Sequence, residues 1–385
     1  MSRSKFDPRR SLVALDQHKC LIAVVELSLS TWLVGGIVPG IARDPLKKLT
    51  PPDPETLLRI LYRWRDEAVK AGCSITRIVV GYEAGRDGFW LARWLQAHGI
   101  EAYVMHPTSI AVSREHRRAK TDRLDVSLLK RSLLGWLRGE EKHCSMVAIP
   151  TVEEEDAKRP HREREQLVGK CTGTVNRIKA LCIRHGIRGF KPKLRNAAQR
   201  VCTLRTPAGE ALPPNTLAEL QRELEHLRFI KQQIKQIEQA RLQQLEQTPQ
   251  QALNATRRDL LRVRSVGIET ADLLTSEVFT REYRDQRAIA RYVGLTGSPD
   301  ESGSRRREKG LAKAGNARVR RGMIQLAWRF LIHQKDSSLV QWFEACIAAG
   351  KKRKTMIVAL ARKLLIALWR FVTLGEVPEG VILVD

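Results

Sequence analysis

An α/β N-terminal domain, a central helical arm and an all-α C-terminal domain are predicted for this 385-residue chain by three observations. Short β-branched runs alternate with helix-period segments up to about residue 140. Leucines then recur at 3-4 spacing across 217–247. From Ala255 onward the pattern stays helical, broken by turns at Gly267, Gly294–Gly297 and Gly303. The segments are drawn at 10–150, 151–254, 255–345, and a C-terminal helix and tail at 346–385.

Each element has its own signal. Ser11–Asp16 (SLVALD), Leu21–Leu27 and Thr31–Val38 are short apolar runs between polar residues, and read as consecutive strands. After the prolines at 51, 52 and 54, Leu57, Leu58, Leu61 and Trp64 place a helix over Glu55–Ala71. A strand follows at Arg77–Tyr82, a helix near Gly88–His98, a strand at Glu101–Met105 and a helix at Asp122–Leu137. Three strands followed by αβαβα is the order of a ribonuclease-H-like sheet. Leu217, Leu220, Leu224, Leu227 and Ile234 mark a helical hairpin arm or short coiled coil, with Lys231 on the seam.

The charge narrows the function classes. With 68 Lys+Arg against 42 Asp+Glu, the net charge is +26, which calls for a polyanionic partner, most commonly nucleic acid. The seven cysteines are scattered without a C-x-x-C pair, so neither a disulfide framework nor a zinc site is expected, and a cytoplasmic home is. Met356–Leu374 carries three cations and reads as a packed helix, so no membrane partner is expected.

Two constellations carry chemistry. Asp16 and Glu83 end predicted strands, and Asp122 and Asp125 share one helix face at i, i+3. Carboxylates converging in this way hold Mg²⁺ or Mn²⁺, and two such ions clamp a phosphodiester. Each acid taken alone also reads as a turn, surface or first-turn residue. The second constellation is the loop 294–321, where Arg305, Arg306, Arg307, Lys309, Lys313, Asn316, Arg318, Arg320 and Arg321 suit phosphate contact, as do Lys120 and Arg123. Ser302, taken alone, is a turn residue.

These residues resemble a known family. The strand ending in Asp16 before His18-Lys19, Tyr82-Glu83-Ala84, and Lys120-Thr121-Asp122 with Asp125 look like the DEDD transposases of bacterial insertion sequences, the one-ten family. Val263–Ala271, Tyr292–Thr296, Glu301-Ser302-Gly303 and Gly315-Asn316-Ala317-Arg318 are similar to that family's C-terminal domain. The resemblance implies a Holliday-junction-resolvase-like (RuvC-like) first domain, with Asp16, Glu83, Asp122 and Asp125 as metal ligands and Ser302 as nucleophile. It further implies recombination of double-stranded DNA (element ends and target) and a structured guide RNA. Ser304 is a second candidate nucleophile. The arm offers a pairing surface for a homo-oligomer, a dimer or tetramer. A metal-dependent junction nuclease without a covalent intermediate, and a non-catalytic nucleic-acid-binding protein, are the alternatives.

Overall fold

Cys20–Val25 (CLIAVV) is apolar without alternation, and a strand of that kind must be covered on both faces. In the computed structural model, which describes residues 11, 13–110, 122–140, 143–247, 252–302, 305–311 and 314–384, it fills most of β1 (Cys20–Leu27). The chain divides into two units, Met1–Thr151 and Val152–Asp385.

The first unit holds a mixed six-stranded sheet in the order β3–β2–β1–β4–β5–β6. Its other strands are β2 (Trp32–Ile37), β3 (Leu46–Leu49), β4 (Arg77–Glu83), β5 (Glu101–Met105) and β6 (Met146–Val147). β1, β4 and β5 run parallel, while β2, β3 and β6 are antiparallel to their neighbours. Leu21, Ala23 and Val25 pack toward α1 (Pro54–Lys70) and α2 (Trp90–Ala97). Cys20, Ile22 and Val24 pack on the opposite face with α3 (Asp122–Leu137). α1 starts where Asp53 accepts from the Thr56 N–H at 2.8 Å, with Pro54 in the first turn.

The expectation of a strand at Ser11–Asp16 is not met: among the described residues the first strand begins at Cys20, and a third one forms instead at Leu46–Leu49. CLIAVV can be buried on both faces and takes the central place, whereas Val13 is left 54% exposed. α3 lies across the strands. A Cβ on Gly35 of β2 would meet Val126 at 2.4 Å, one on Gly81 of β4 would meet Leu133 at 2.7 Å, and Trp136 packs on Tyr103 of β5.

The second unit opens with α4 (Val152–Asp156) and the long α5 (Arg159–Arg184), followed by α6 (Ala197–Cys202) and α7 (Pro214–Gln247). The predicted leucine seam is used within the chain. Leu220, Leu224, Leu227 and Ile230 of α7 bury against Leu167, Val175 and Ile178 of α5. A seam covered in this way is no pairing surface for a second copy. A separate core joins α8 (Ala252–Arg262), α9 (Ile268–Leu274), α10 (Gln286–Val293), α11 (Ala317–His333), α12 (Ser338–Ala348) and α13 (Arg353–Leu374). The tail returns to this core, where the Arg264 N–H donates to the Ile382 carbonyl at 3.1 Å. The C-terminal part is not all-α, because β7 (Gly297–Ser302) and β8 (Arg305–Leu311) form an antiparallel hairpin between α10 and α11.

Candidate active site and its charge network

The predicted carboxylates occupy separate places in the first unit. Asp16 lies in the turn before β1, where its Oδ1 accepts from the His18 N–H at 3.0 Å and Lys19 stands 3.6 Å from Oδ2. Cys20 pairs with Arg77 and Val25 with Tyr82, so Asp16 belongs to the Arg77 end of the sheet. Glu83 closes β4 at the other end. Six strand steps separate Arg77 from Glu83, about 20 Å at ~3.3 Å per residue. Asp122 is the first residue of α3 and Asp125 is half-buried one turn later, on the β2 side of the crossing helix. Asp16 and Glu83 therefore do not fit a single four-carboxylate metal centre. Among the described residues, no three His, Cys, Asp or Glu side chains stand where they would hold one metal ion.

What gathers at the Asp16 end is a different group. Arg77 grips Glu101 with two bonds of 2.8 Å, and the Tyr103 hydroxyl donates to the same carboxylate at 3.1 Å. Burial pushes the neighbouring Cys20 thiol up to about 11, which keeps it protonated and unreactive.

In the second unit Ser302 is the last residue of β7, paired with Arg305 across the hairpin, and Glu301 pairs with Arg306. Ser304, Lys313 and Lys120 lie outside the described residues. Two left-handed glycines hold the root of the hairpin: Gly294 ends α10 at φ +72°, and Gly315 (φ +89°) precedes α11. There the Asn316 N–H donates to the Tyr292 carbonyl at 2.8 Å.

Beneath this root lies a buried network of ions. Arg241 reaches Glu269 at 2.8 Å and Asp272 at 3.5 Å, and Arg257 holds Asp272 at 2.8 Å. Arg164 bridges Glu238 (2.7 Å) and Glu269 (3.1 Å). Glu277, buried in a π-helical turn at Thr275–Phe279, takes Arg318 at 3.3 Å, Arg162 at 3.7 Å and the Asn316 amide at 3.3 Å. Burial alone pushes Glu165 up, but Arg318 and Arg321 outweigh it and hold that carboxylate below its usual range.

A family model described as "Transposase IS116/IS110/IS902 family" matches residues 257–341, the stretch that holds the hairpin and most of the network's acids. The whole chain has a relative named "Putative transposase y4rJ", from Sinorhizobium fredii, 39% identical over 93% of both chains. The chain belongs to the IS116/IS110/IS902 transposase family. A "Transposase for insertion sequence element IS1328" from Yersinia enterocolitica is 26% identical over 56% of this chain and 63% of its own. Another S. fredii protein, "Putative transposase y4qE", is 26% identical over 75% and 73%.

Several residues expected to touch nucleic acid hold parts of this transposase's own fold. Asn316 caps α11 by accepting from the Arg318 and Val319 N–H groups at 3.1 and 3.3 Å. Arg318 is held by Glu165 and Glu277, and Arg321 donates to Glu165 at 2.9 Å. Arg320 donates to the Ala314 carbonyl at 3.1 Å. Glu165 and Glu277 offset the charges of Arg318 and Arg321, while Arg320 rests on a carbonyl and keeps its charge. Arg123 is exposed on the first turn of α3, and Arg305, Arg306, Arg307 and Lys309 lie along β8.

The buried acids were not singled out by motif. Asp272 and Glu277 sit among apolar neighbours in ETADLLTSEVF, and a carboxylate inside such a run is itself a signal of a buried partner. Within this network burial, and then Arg241, hold the His161 imidazole below 6.5. A depressed histidine stabilises the fold above its unfolded value, and that contribution is lost as pH falls through the lower folded value. Lowering the pH from about 7 to about 5.5 should therefore drop the Tm of the parent more than that of His161→Gln. Equal drops in the two proteins would remove His161 from the network's pH response.

Proposed function

We propose that this chain is a DNA transposase that cuts and rejoins double-stranded DNA through a covalent link to Ser302. The observation that carries the reading is the β7–β8 hairpin. It sets Ser302 at a strand end opposite Arg305, inside the stretch matched by the transposase family model. In the proposed step the Ser302 oxygen bonds to phosphorus as the bond from phosphorus to a deoxyribose oxygen breaks. The serine proton leaves to solvent and the released hydroxyl gains one. Attack by a second strand's hydroxyl then reverses these changes and frees the serine. Arg305, the ladder partner of Ser302, and Arg307, two residues along β8 on the same face of the hairpin, supply positive charge for the crowded phosphate. A guide RNA that selects the target and a homo-oligomer that holds two duplexes belong to the same proposal.

Asp16 stands apart from Glu83 in this conformation; a divalent ion held by carboxylates among Glu83, Asp122 and Asp125 belongs to the same proposal, and the serine step draws on the hairpin's own residues. Ser302→Ala is expected to bind element-end DNA within about two-fold of the parent and to form no protein–DNA adduct on a denaturing gel. An adduct that persists in Ser302→Ala and disappears in Ser304→Ala would move the role to Ser304. Cleavage by the parent with no adduct at any time would favour the junction-nuclease alternative.

A further inference from the structure

From Gln166 to Gly209 the chain contains no Asp or Glu and ten Lys or Arg. This stretch is the outer three-quarters of α5 and the connection that leads through α6 toward α7. Between the last turns of α5 and residues 186–194 it encloses a cavity of about 940 Å³. Its rim carries Lys179, Arg188, Lys191 and Lys193, and no acid lines it. Its apolar lips, Ile183 and Leu194, are 56% and 41% exposed. Phe190 is buried at 6% and belongs to the arm's core, so the contact surface offered is aliphatic.

Each half of this description selects a ligand property. Four cations with no acid among the lining side chains select phosphate, and their exposure places them where a backbone can pass. An exposed aliphatic lip gains nothing from phosphate, but it is covered favourably by the flat apolar face of a base. In a duplex those faces are stacked away, and only an unpaired base presents one. We infer that the groove at the end of the arm binds an unpaired stretch of a DNA strand, with bases against Ile183 and Leu194 and phosphates on Lys179, Arg188, Lys191 and Lys193. The choice of DNA rests on the proposal that this chain acts on DNA. The groove itself lies outside the residues 257–341 that the family model matches.

The test is fluorescence anisotropy with the full chain and three probes of about 20 nucleotides: oligothymidylate, an abasic strand of equal length, and a duplex. The parent should bind oligothymidylate tighter than the abasic strand. A combined Arg188→Ala, Lys191→Ala, Lys193→Ala variant should lose about ten-fold or more on oligothymidylate. Its log–log salt slope should be shallower by about 2, from ~0.7 for each of three lost contacts. Ile183→Ser with Leu194→Ser should erase the preference for bases over the abasic strand. Both variants should keep duplex affinity within about two-fold.

Unchanged oligothymidylate binding in both variants, with duplex binding intact, overturns the groove assignment. Binding of oligouridylate about ten-fold tighter than oligothymidylate through the same residues overturns the choice of DNA. Sedimentation that shows a dimer lost only in Ile183→Ser with Leu194→Ser would give the groove to a second copy. A parent that binds neither duplex nor single strand would instead overturn the DNA reading of the whole chain.

Discussion

Replacing Arg241 by alanine is expected to destabilise the second unit by about 3 kcal/mol, the lower end of the range for breaking a buried ion pair. Arg241 is 7% exposed and spans Glu269 and Asp272, which come from one helix turn of α9. Removing it leaves the buried Asp272 and the partly buried Glu269 with less compensation, and under-paired buried charge is the costly outcome. The cost stays at the lower end because Arg164 still reaches Glu269 and Arg257 still reaches Asp272. Burial already holds Glu269 above its usual range against the pull of Arg241 and Arg164, so losing Arg241 should raise it further. Urea unfolding near neutral pH reads the effect. Arg241→Met combined with Glu269→Gln should recover part of the loss. A loss under about 1 kcal/mol for Arg241→Ala would mean that water and the other arginines suffice.

Gly315→Val is expected to cost at least about 2 kcal/mol and to abolish DNA joining. A left-handed backbone costs an L-residue about 1–2 kcal/mol on its own. Here a Cβ would also stand 2.7 Å from the Gly294 nitrogen and the Tyr292 carbonyl oxygen, and 2.9 Å from the Arg291 carbonyl oxygen. These are backbone atoms, so the root of the hairpin itself must shift, and the Asn316–Tyr292 bond goes with it. Gly209→Val is the matched control: its φ is +81°, yet nothing lies within 4 Å of the added carbon. Equal losses of stability and joining in the two variants would show that the hairpin root tolerates displacement.

The sequence carried much of the layout because the signals were local. The 3-4 spacing of Leu220, Leu224 and Leu227 located α7, and CLIAVV located the central strand. Two readings failed because strand pairing is decided by distant partners. SLVALD has the composition of a strand, but the place beside β4 was filled by a segment apolar on both faces. GSPDES and RRREKGL have the composition of a polar loop, with Pro, Asp, Gly and no alternation, yet each supplies the other's ladder partners. The candidate site was legible only in part for a related reason. Asn316 and Arg318 were found by their place in a basic stretch. Their acceptors, Glu165 and Glu277, lie 153 and 41 residues away from Arg318 and turn its charge inward.

The ion pairs described above between α5, α7 and the C-terminal core sit at one end of those helices. Arg162, Arg164 and Glu165 occupy the first turns of α5, and Glu238 and Arg241 occupy the last turns of α7. About 30 Å of packed helix, twenty residues at ~1.5 Å each, separates Arg164 from the far end of α5. The arm is thus a lever clamped at its base. A strand held at the far end, as inferred above, would work with a long moment about that clamp. The strain arrives at Arg162 and Arg241, and the carboxylates that receive it belong to α9 and the π-helical turn. One of them, Glu277, also holds Asn316, so such a load would reach the root of the hairpin that carries Ser302.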